Sequence, residues 1–329
     1  MTSAATARLR LPGETELAAV LAQVLHCDPA LVTITSRNEN VHTSTWPSEI
    51  VDCRIGRDRE MRLLVKHGPS GVRNAHGHPV GPEYEAAVYE TVLGPAGLSH
   101  PFLGARHEPG SQSSCIVLEC LDDGWWRLNR VEDPRAIVRV AAWAGAFHAG
   151  AATRARALAG ALNVYDTEYY AGWARRSLRY PPQLASEFGW LGDVCLAFAQ
   201  IGARLAAGPL TVVHGEFYPE NLLVHDEAIR PVDWEWAGVA AGEVDVAALT
   251  EGWSADLTKA SERAYAEARW PGGAPADYAW RLDAARVYLH LRWLGDRTDR
   301  LQAPELTARL EDLETVARRL GMLRDAHRR

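Results

Sequence analysis

Apolar and polar positions in the first third of the chain predict one helix followed mainly by strands. Residues Thr15–His26 repeat apolar side chains at helical spacing, and Pro29 ends the pattern. The Gly-, Pro- and His-rich segment Pro69–Pro82 predicts a loop, and Glu83–Leu93 predicts a second helix. Short apolar and β-branched runs predict strands at Leu31–Thr35, Ile50–Ile55, Met61–Lys66 and in a pair that ends in Ser114–Leu121.

From about Pro134 the pattern changes to a helical repeat, with apolar residues three or four positions apart. One β-rich segment, Leu210–Trp236, interrupts these helices. The patterns together predict an α+β protein with an N-terminal lobe at residues 1–121 and a mainly helical C-terminal lobe at residues 122–329. The predicted helices of the second lobe are Ala136–Ala152, Tyr169–Leu178, Gly189–Ala206, Asp256–Trp270, Asp277–Leu294 and Pro304–Leu320.

Charge and composition narrow the classes of function. The 329 residues carry a formal net charge of −7, which argues against nucleic-acid binding because that activity needs a basic face for phosphates. No apolar run approaches the ~20 residues that cross a bilayer, and Met1–Arg10 lacks the apolar core of a secretory signal. The five cysteines are scattered without a CxxC pair, which fits neither a disulfide scaffold nor a zinc site. We therefore expect a cytoplasmic protein whose partners include neither a membrane nor a nucleic acid.

One segment in the second half of the chain concentrates residues that can hold a metal ion. Leu222–Val224 and Ile229–Val232 are short apolar runs that flank a polar turn, so pairing them as a hairpin brings Asn221 beside Asp233. Amide and carboxylate oxygens are the hard ligands that Mg²⁺ prefers. Glu216 precedes this end of the hairpin, where a carboxylate could accept the proton of an attacking hydroxyl. A surface hairpin with solvated acids is the alternative interpretation.

The same segment carries motifs of a known family. His214-Gly215-Glu216, followed by Asn221 and then by Val232-Asp233-Trp234-Glu235, resembles the catalytic loop and the metal loop of aminoglycoside phosphotransferases and choline kinases, which are relatives of the protein kinases. The resemblance implies a protein-kinase-like bilobal fold, with an antiparallel sheet plus helix in the N-terminal lobe and a short catalytic hairpin in the helical C-terminal lobe. It also implies that Asn221 and Asp233 bind Mg²⁺ and that Glu216 is the catalytic carboxylate. Asp245 resembles a further family acid that braces the catalytic loop.

Glu216 departs from the family pattern, which usually has Asp at this position. Its carboxylate stands one methylene further from the backbone, and misplacing a reacting group by ~1 Å can cost about a hundredfold in rate. We nevertheless expect an active enzyme, because both metal ligands are retained. A catalytically silent, kinase-like nucleotide-binding protein is one alternative. A metal-dependent hydrolase built on His214, Glu216 and His225 is another, although the chain has no HExxH pattern.

Lysine is rare in this chain, and the position of one lysine is informative. Lys66 and Lys259 are the only lysines among 35 basic residues. Lys66 ends a predicted strand at the place where, in the resembled family, a lysine binds the α- and β-phosphates of the nucleotide and pairs with a glutamate of the next helix. The resemblance places this glutamate at Glu85, with Glu83 as the weaker candidate. An accidental surface lysine is the alternative for Lys66.

The rest of the nucleotide site rests on weaker signals. The last predicted strand of the N-terminal lobe resembles the strand that leads into the interlobe hinge, which implies that Glu119 and Leu121 lie near the adenine. The chain has no glycine-rich phosphate loop. The polar segment Arg37–Ser48 occupies the corresponding place and could offer the hydroxyl of Ser44 to a phosphate. An ordinary polar loop fits this segment equally well.

The acceptor is the part of the function that the sequence determines least. The twelve tryptophans could stack on a sugar or on another flat ligand, yet at helical spacing tryptophan is more often a core residue. Acids near the proposed site could bind an amino-sugar, although acidic helix faces are common; these acids are Glu235, Glu243, Glu251 and Asp256. We predict a small-molecule kinase that transfers the γ-phosphoryl group of ATP, with GTP as the alternative donor, to a hydroxyl of a sugar, an aminoglycoside-like compound or another natural product. The resemblance suggests a role in antibiotic resistance.

Overall fold

The structure is a computed structural model that describes residues 11–41, 46–68, 76, 81–96, 102–107, 114–121, 124–179, 182–296 and 303–323. The chain divides into two compact units, each described by itself below. The first unit comprises Met1–Trp126 and Arg230–Trp236, and the second comprises Arg127–Ile229 and Ala237–Arg329. The chain therefore returns to the first unit for one short segment. The assignment of nucleotide binding to residues 1–121 and of catalysis to residues 122–329 stays a prediction.

The first unit combines helices with a five-stranded antiparallel sheet. Its elements are α1 (Glu14–Val24), β1 (Val32–Glu39), β2 (Ser48–Ile55), β3 (Arg59–Gly68), α2 (Gly81–Val88), α3 (Gly94–Ala96), β4 (Phe102–His107) and β5 (Ser114–Glu119). The strands are ordered β1-β2-β3-β5-β4. Lys66 of the central strand β3 lies opposite Ser48 of β2 on one side and opposite Ile116 of β5 on the other. Two strand ladders therefore hold the backbone of Lys66.

The two faces of this sheet are covered by different helices. Leu63 and Val65 of β3 join the apolar side of α1 in a buried core. Because side chains alternate between the faces of a strand, Lys66 lies on the opposite face. That face carries α2, which packs against β3 and β5. A π-helical turn at Tyr89–Leu93 continues α2 into α3.

The second unit is mainly helical. Its small sheet has the order β7-β11-β8, in which β11 pairs in parallel with β7 and antiparallel with β8. α4 packs along α9, and α5 packs against α7 and α10. The elements named here are α4 (Ala136–Leu158), β7 (Asn163–Val164), α5 (Thr167–Ser177), α6 (Pro182–Glu187), α7 (Leu191–Ala206), β8 (Leu210–Val213), β11 (Gly238–Ala241), α8 (Glu243–Thr250), α9 (Ala255–Arg269), α10 (Tyr278–Asp296) and α11 (Ala303–Arg319).

The predicted hairpin is present. Its strands β9 (Leu222–His225) and β10 (Ala228–Pro231) are neighbours in a small sheet that also contains β6 (Trp126–Arg127). The turn is shorter than predicted, because each strand extends one residue further toward it. Asp226 in this turn has a φ of 50°, in the left-handed region that Asp adopts more readily than most residues.

The α+β fold class is confirmed, and every predicted helix is present in the described residues, although α4 continues to Leu158. α8 was not predicted, because all of its residues are buried and its sequence lacks the polar face of an amphipathic helix. The segment that was predicted as a loop up to Pro82 is helical from Gly81 onward. Within the described ranges, no helix is both long enough and apolar enough to cross a membrane.

Candidate active site

Lys66 of β3 lies in an ion-pair cluster within the first unit. Its Nζ atom is 2.7 Å from Oε2 of Glu85 and 2.5 Å from Oδ1 of Asp233. The Lys66 side chain is 13% exposed and that of Glu85 is 1% exposed, so water hardly reaches this pair. Glu83, the weaker candidate, contacts His107 instead. Glu85 is therefore the glutamate of α2 that pairs with Lys66.

Burial and opposite charge set the protonation of this cluster. Burial disfavours the ammonium group of Lys66, but the attraction of Asp233 and Glu85 outweighs it and holds the pKa of Lys66 well above its ordinary value. Burial raises the pKa of Glu85, and the attraction of Lys66 offsets only part of that rise. Lys66 is therefore a cation at neutral pH.

The segment that returns to the first unit places Asp233 beside Lys66. Asp233 has a φ of 70°, a left-handed conformation that costs a residue other than glycine about 1–3 kcal/mol. The backbone N–H of Trp234 donates to Oε1 of Glu85 at 3.2 Å, and the buried indole of Trp234 donates to the carbonyl of Pro231 at 3.0 Å. Glu85 therefore accepts from Lys66 with one oxygen and from the backbone after Asp233 with the other.

In the second unit, the loop after β8 carries the His214-Gly215-Glu216 motif. The carboxylate of Asp245, in the first turn of α8, accepts hydrogen bonds from the backbone N–H groups of His214 at 2.7 Å and Gly215 at 2.9 Å. Gly215 has a φ of 84°, which L side chains rarely adopt and which accounts for the glycine in this motif. Asp245 is buried and braces this loop, as the resemblance implied.

A buried hydrogen-bond network lies behind Asp245. Nε2 of His148 is 3.2 Å from Oδ2 of Asp245, and Nδ1 of His148 is 2.9 Å from the hydroxyl of Tyr265. Burial lowers the pKa of His148 in spite of the attraction of Asp245, so this imidazole is neutral, donating from Nε2 and accepting at Nδ1. A Cβ atom at Gly242 would lie 2.6 Å from Nδ1 of His148, so the close approach of α8 to this network requires glycine.

Glu216 is paired with Arg292 of α10. Nη2 of Arg292 donates to Oε1 of Glu216, and Nη1 of the same guanidinium donates to the carbonyl of Gly215 at 2.8 Å. Asn221 is fastened to the same loop, because its Nδ2 donates to the backbone carbonyl of Glu216 at 3.0 Å. This hydrogen bond engages the amide nitrogen of Asn221 and leaves the side-chain oxygen as the group that can bind a cation.

A cavity of ≈ 1220 Å³ lies in the second unit beside Glu216. Nη1 of Arg309 is 2.6 Å from Oε1 of Glu251, and the guanidinium carbon lies 4.2 Å from the ring centroid of Trp293. In this wall the guanidinium of Arg309 therefore lies between a carboxylate and the face of an indole ring. Among the described residues that line the cavity, carboxylates outnumber guanidinium groups. The carboxylates are those of Glu216, Glu220, Glu251, Asp296 and Asp312, and the guanidinium groups are those of Arg292 and Arg309.

Comparison with known families decides the class of the protein. Residues 58–282 match the model of the phosphotransferase enzyme family (APH). The chain belongs to this family. It is a phosphotransferase that uses an alcohol group as acceptor. No curated protein matches the chain significantly in sequence.

Solved structures with the same fold include small-molecule kinases. A choline/ethanolamine kinase family protein from Mesorhizobium loti is 16% identical, with 93% of this chain and 97% of that chain covered and a TM-score of 0.59. The macrolide 2'-phosphotransferase MphH from Brachybacterium faecium is 18% identical, with 95% and 99% covered and a TM-score of 0.52. The amicoumacin kinase hAmiN, in complex with AMP-PNP, Ca²⁺ and Ami, is 12% identical, with 94% and 93% covered and a TM-score of 0.58. The predicted kinase-like fold is confirmed.

For several residues predicted to bind the nucleotide of this phosphotransferase, the structure gives a position on the chain but no test of the predicted contact. Ser44 lies outside the described residues. Glu119 is exposed at the end of β5, and Leu121 is half-buried just beyond it. Their proximity to an adenine stays a prediction. Lys259, the second lysine, is exposed on α9.

The hydrolase alternative finds no support in the described part of the phosphotransferase. No group of three metal-ligating side chains that includes a histidine comes together there. His214 is buried, and its Nδ1 accepts a hydrogen bond from the backbone N–H of Glu216 at 3.2 Å. His225 is exposed at the end of β9. His214 therefore has a structural position in the loop, and His225 lies on the surface.

Sequence analysis of the phosphotransferase missed Arg292, Arg309 and Tyr265. The one available signal for Arg292 is its position in the mainly apolar helical stretch 287–294, where a charged residue needs a buried partner. Arg309 and Tyr265 lie at ordinary helical positions, and no local motif distinguishes them. All three lie on helices that follow the catalytic motifs in the chain, and their partners lie far away in the sequence.

Proposed function

We propose that this phosphotransferase transfers the γ-phosphoryl group of ATP or GTP to a hydroxyl of a sugar, an aminoglycoside-like compound or another natural product. The ion-pair cluster of Lys66, Glu85 and Asp233 carries the proposal. An ammonium group that two carboxylates already orient is preorganised to meet phosphate oxygens, which make the same type of charge-assisted hydrogen bond. The family membership of the chain supports the same reaction class.

We propose Asn221 and Asp233 as protein ligands of a divalent metal that accompanies the nucleotide. The side-chain oxygen of Asn221 is available because its nitrogen is engaged with the Glu216 carbonyl. Asp233 offers a carboxylate from a strained backbone position of the kind that clusters at functional sites. Hard oxygen donors in small number fit Mg²⁺, which keeps its remaining positions for phosphate and water. When bound, Mg²⁺ neutralises charge on the phosphates.

Glu216 is the group that we assign to the acceptor hydroxyl. Its side chain keeps 24% exposure and lines the cavity of the second unit. Three side chains hold the surrounding backbone: Asp245 accepts from two N–H groups, Arg292 donates to the Gly215 carbonyl, and Asn221 donates to the Glu216 carbonyl. A carboxylate on a fastened loop can accept or orient the hydroxyl proton with little reorganisation during the reaction.

The cavity wall supports an acceptor that carries amino groups as well as hydroxyls. The described lining residues include more carboxylates than guanidinium groups, which gives this part of the wall a negative balance. The arrangement of Glu251 and Trp293 around Arg309 has the chemistry that recognises an ammonium group, namely a carboxylate beside an aromatic face. Amino-sugars and aminoglycoside-like natural products combine these features.

Incubation with γ-labelled ATP or GTP and a panel of amino-sugars, nucleosides, amino alcohols and antibiotics tests the proposal. We expect labelled product with at least one acceptor, and an antibiotic among the products would support a resistance role. Asp233→Asn should abolish transfer and Mg²⁺-dependent nucleotide binding while the far-ultraviolet circular dichroism stays native. Asp193→Asn, at an exposed position of α7, is the matched control.

Two results would contradict the proposal. Transfer that persists in Asp233→Asn would remove the metal assignment. The silent nucleotide-binding alternative would be favoured if the wild type bound nucleotide without transferring phosphate to any acceptor and if Glu216→Gln bound nucleotide with unchanged affinity.

A further inference from the structure

We propose that Arg292 is a positioning residue for Glu216, which sets the reach and direction of the longer carboxylate that this chain carries in its catalytic loop. The inference rests on the proposed function, because it concerns how the phosphotransferase orients its acceptor hydroxyl. Neither the motif nor the family match assigns a role to α10, the helix that carries Arg292.

The geometry of the contact is that of a clamp. One nitrogen of the guanidinium donates to the carbonyl of Gly215 at 2.8 Å, and the other donates to Oε1 of Glu216. The first contact ties Arg292 to the backbone of the loop, and the second ties it to the end of the Glu216 side chain. A planar guanidinium presents its donors in a rigid fork. The end of the side chain is therefore fixed relative to its own backbone.

A glutamate needs such a clamp more than an aspartate does. Glu216 has one more rotatable bond than an aspartate, and each unfixed rotamer places the carboxylate at a different distance from the acceptor. Rotamer freedom has to be removed before reaction if the carboxylate is to be placed accurately. The Arg292 contact removes it in advance, while Glu216 still lines the cavity.

The burial of Arg292 indicates that the contact is specific. Its side chain is 6% exposed, and an unpaired guanidinium at such a position is strongly unfavourable. Burial opposes the charge, but the attraction of Glu216, the leading favourable contribution, holds the pKa of Arg292 well above its ordinary value. Arg292 and Glu216 therefore stabilise each other as charged groups.

A purely structural role for Arg292 makes a different prediction. If the guanidinium only supports the Gly215 carbonyl, its removal should impair the loop equally whatever acid stands at position 216. If the guanidinium acts through the Glu216 carboxylate, its removal should lower kcat much less in a protein that carries the shorter Glu216→Asp side chain. A double-mutant cycle separates the two possibilities.

The experiment measures kcat and the nucleotide KM with γ-labelled ATP and the acceptor that the panel shows to be fastest. We expect Arg292→Met to lower kcat at least about tenfold with the nucleotide KM changed less than about twofold, and Arg292→Lys to recover part of the loss. Glu216→Asp should also lower kcat, and adding Arg292→Met to it should cost less than about threefold more.

Arg286→Met is the matched control on the same helix. Arg286 also forms ion pairs, with Glu262 and Asp283, but it does not line the cavity. It should leave kcat unchanged. If Arg292→Met does not fold, as judged by thermal melting, the cycle is run with Arg292→Lys, which keeps the charge but loses the fork.

The outcomes are distinct. Equal losses from the Arg292 substitution in the Glu216 and Glu216→Asp backgrounds, or an unchanged kcat in Arg292→Met, would overturn this inference while the proposed function stands. Absence of phosphoryl transfer by the wild-type protein to every acceptor of the panel would overturn the proposed function and this inference with it.

Discussion

A Lys66→Met substitution tests the electrostatic account of the ion-pair cluster around Lys66. It removes the ammonium group but keeps an unbranched side chain that can fill the space between β3 and α2. Glu85 then loses a partner that was 2.7 Å away while its own side chain stays 1% exposed. Asp233 loses a partner as well, but at 25% exposure it can exchange that partner for water. The energetic cost therefore falls mainly on Glu85.

The magnitude follows from the burial of the pair. Removing one partner of a buried ion pair costs roughly 3–5 kcal/mol of the free energy of unfolding. Glu85 can limit the cost by binding a proton, because burial already raises its pKa and Lys66 supplies the largest attraction that opposes the rise. A carboxyl group whose pKa is higher in the folded than in the unfolded state destabilises the fold as it ionises.

The sign of the pH dependence follows from this shift. Below the pKa of the unfolded chain, about 4.3 for glutamate, Glu85 is protonated in both states and the penalty is absent. As the pH rises toward the folded-state pKa, the penalty grows by roughly 1.4 kcal/mol per pH unit. We therefore expect Lys66→Met to be destabilised by about 3 kcal/mol near neutral pH and by clearly less near pH ~5.

Urea unfolding of the wild type and the variant at the two pH values measures these differences. Lys259→Met, at an exposed position of α9, is the control and should unfold like the wild type. Adding Glu85→Gln should restore much of the stability, because an amide carries no charge and still offers an oxygen to the N–H of Trp234. Nucleotide affinity should fall strongly in Lys66→Met and hardly in the control. An equal loss of stability at both pH values, or no recovery with Glu85→Gln, would refute the reasoning.

Two further predictions concern the second unit. Asp245→Asn should lower the melting temperature and kcat together, because it weakens two charge-assisted hydrogen bonds to loop N–H groups, each worth about 1.5–3 kcal/mol. Calorimetry measures the melting temperature and transfer assays measure kcat. A melting temperature equal to that of the wild type would contradict the bracing role. Glu251→Gln removes one negative charge from the cavity wall and should raise the KM of amine-bearing acceptors several-fold more than that of neutral ones. Equal KM changes for the two acceptor classes would count against the acceptor assignment.

The parts of the site that could be predicted from the sequence are those that depend on short-range spacing. Gly215 and Asn221 stand at short, fixed distances from Glu216, and the left-handed backbone at Gly215 dictates the glycine there. Lys66 was identifiable because one lysine stood on a strand of a chain that otherwise uses arginine. Amphipathic periodicity likewise predicts the surface helices, whereas the fully buried α8 lacks that signal.

Contacts between distant segments could not be predicted in the same way. Arg292 lies 77 residues from Gly215, and Tyr265 lies 117 residues from His148. Nothing in the local sequence of either partner specifies the other, because such pairs depend on how whole helices pack. The choice of Glu85 over Glu83 for Lys66 came from the family resemblance and not from spacing alone, because the rotation of α2 over the sheet decides which glutamate reaches the lysine.

By itself, the sequence indicated the reaction class, because its two short motifs around Glu216 and Asp233 resemble those of a phosphotransferase family, and the local backbone fixes the spacing within each motif. Only the tertiary structure decided which groups surround those side chains. The pairing of Glu216 with Arg292 and the placing of Arg309 between Glu251 and Trp293 arise from helix packing. Packing is driven by burial of apolar surface, which carries no directional information, so the polar contacts that accompany it appear only when the helices are assembled.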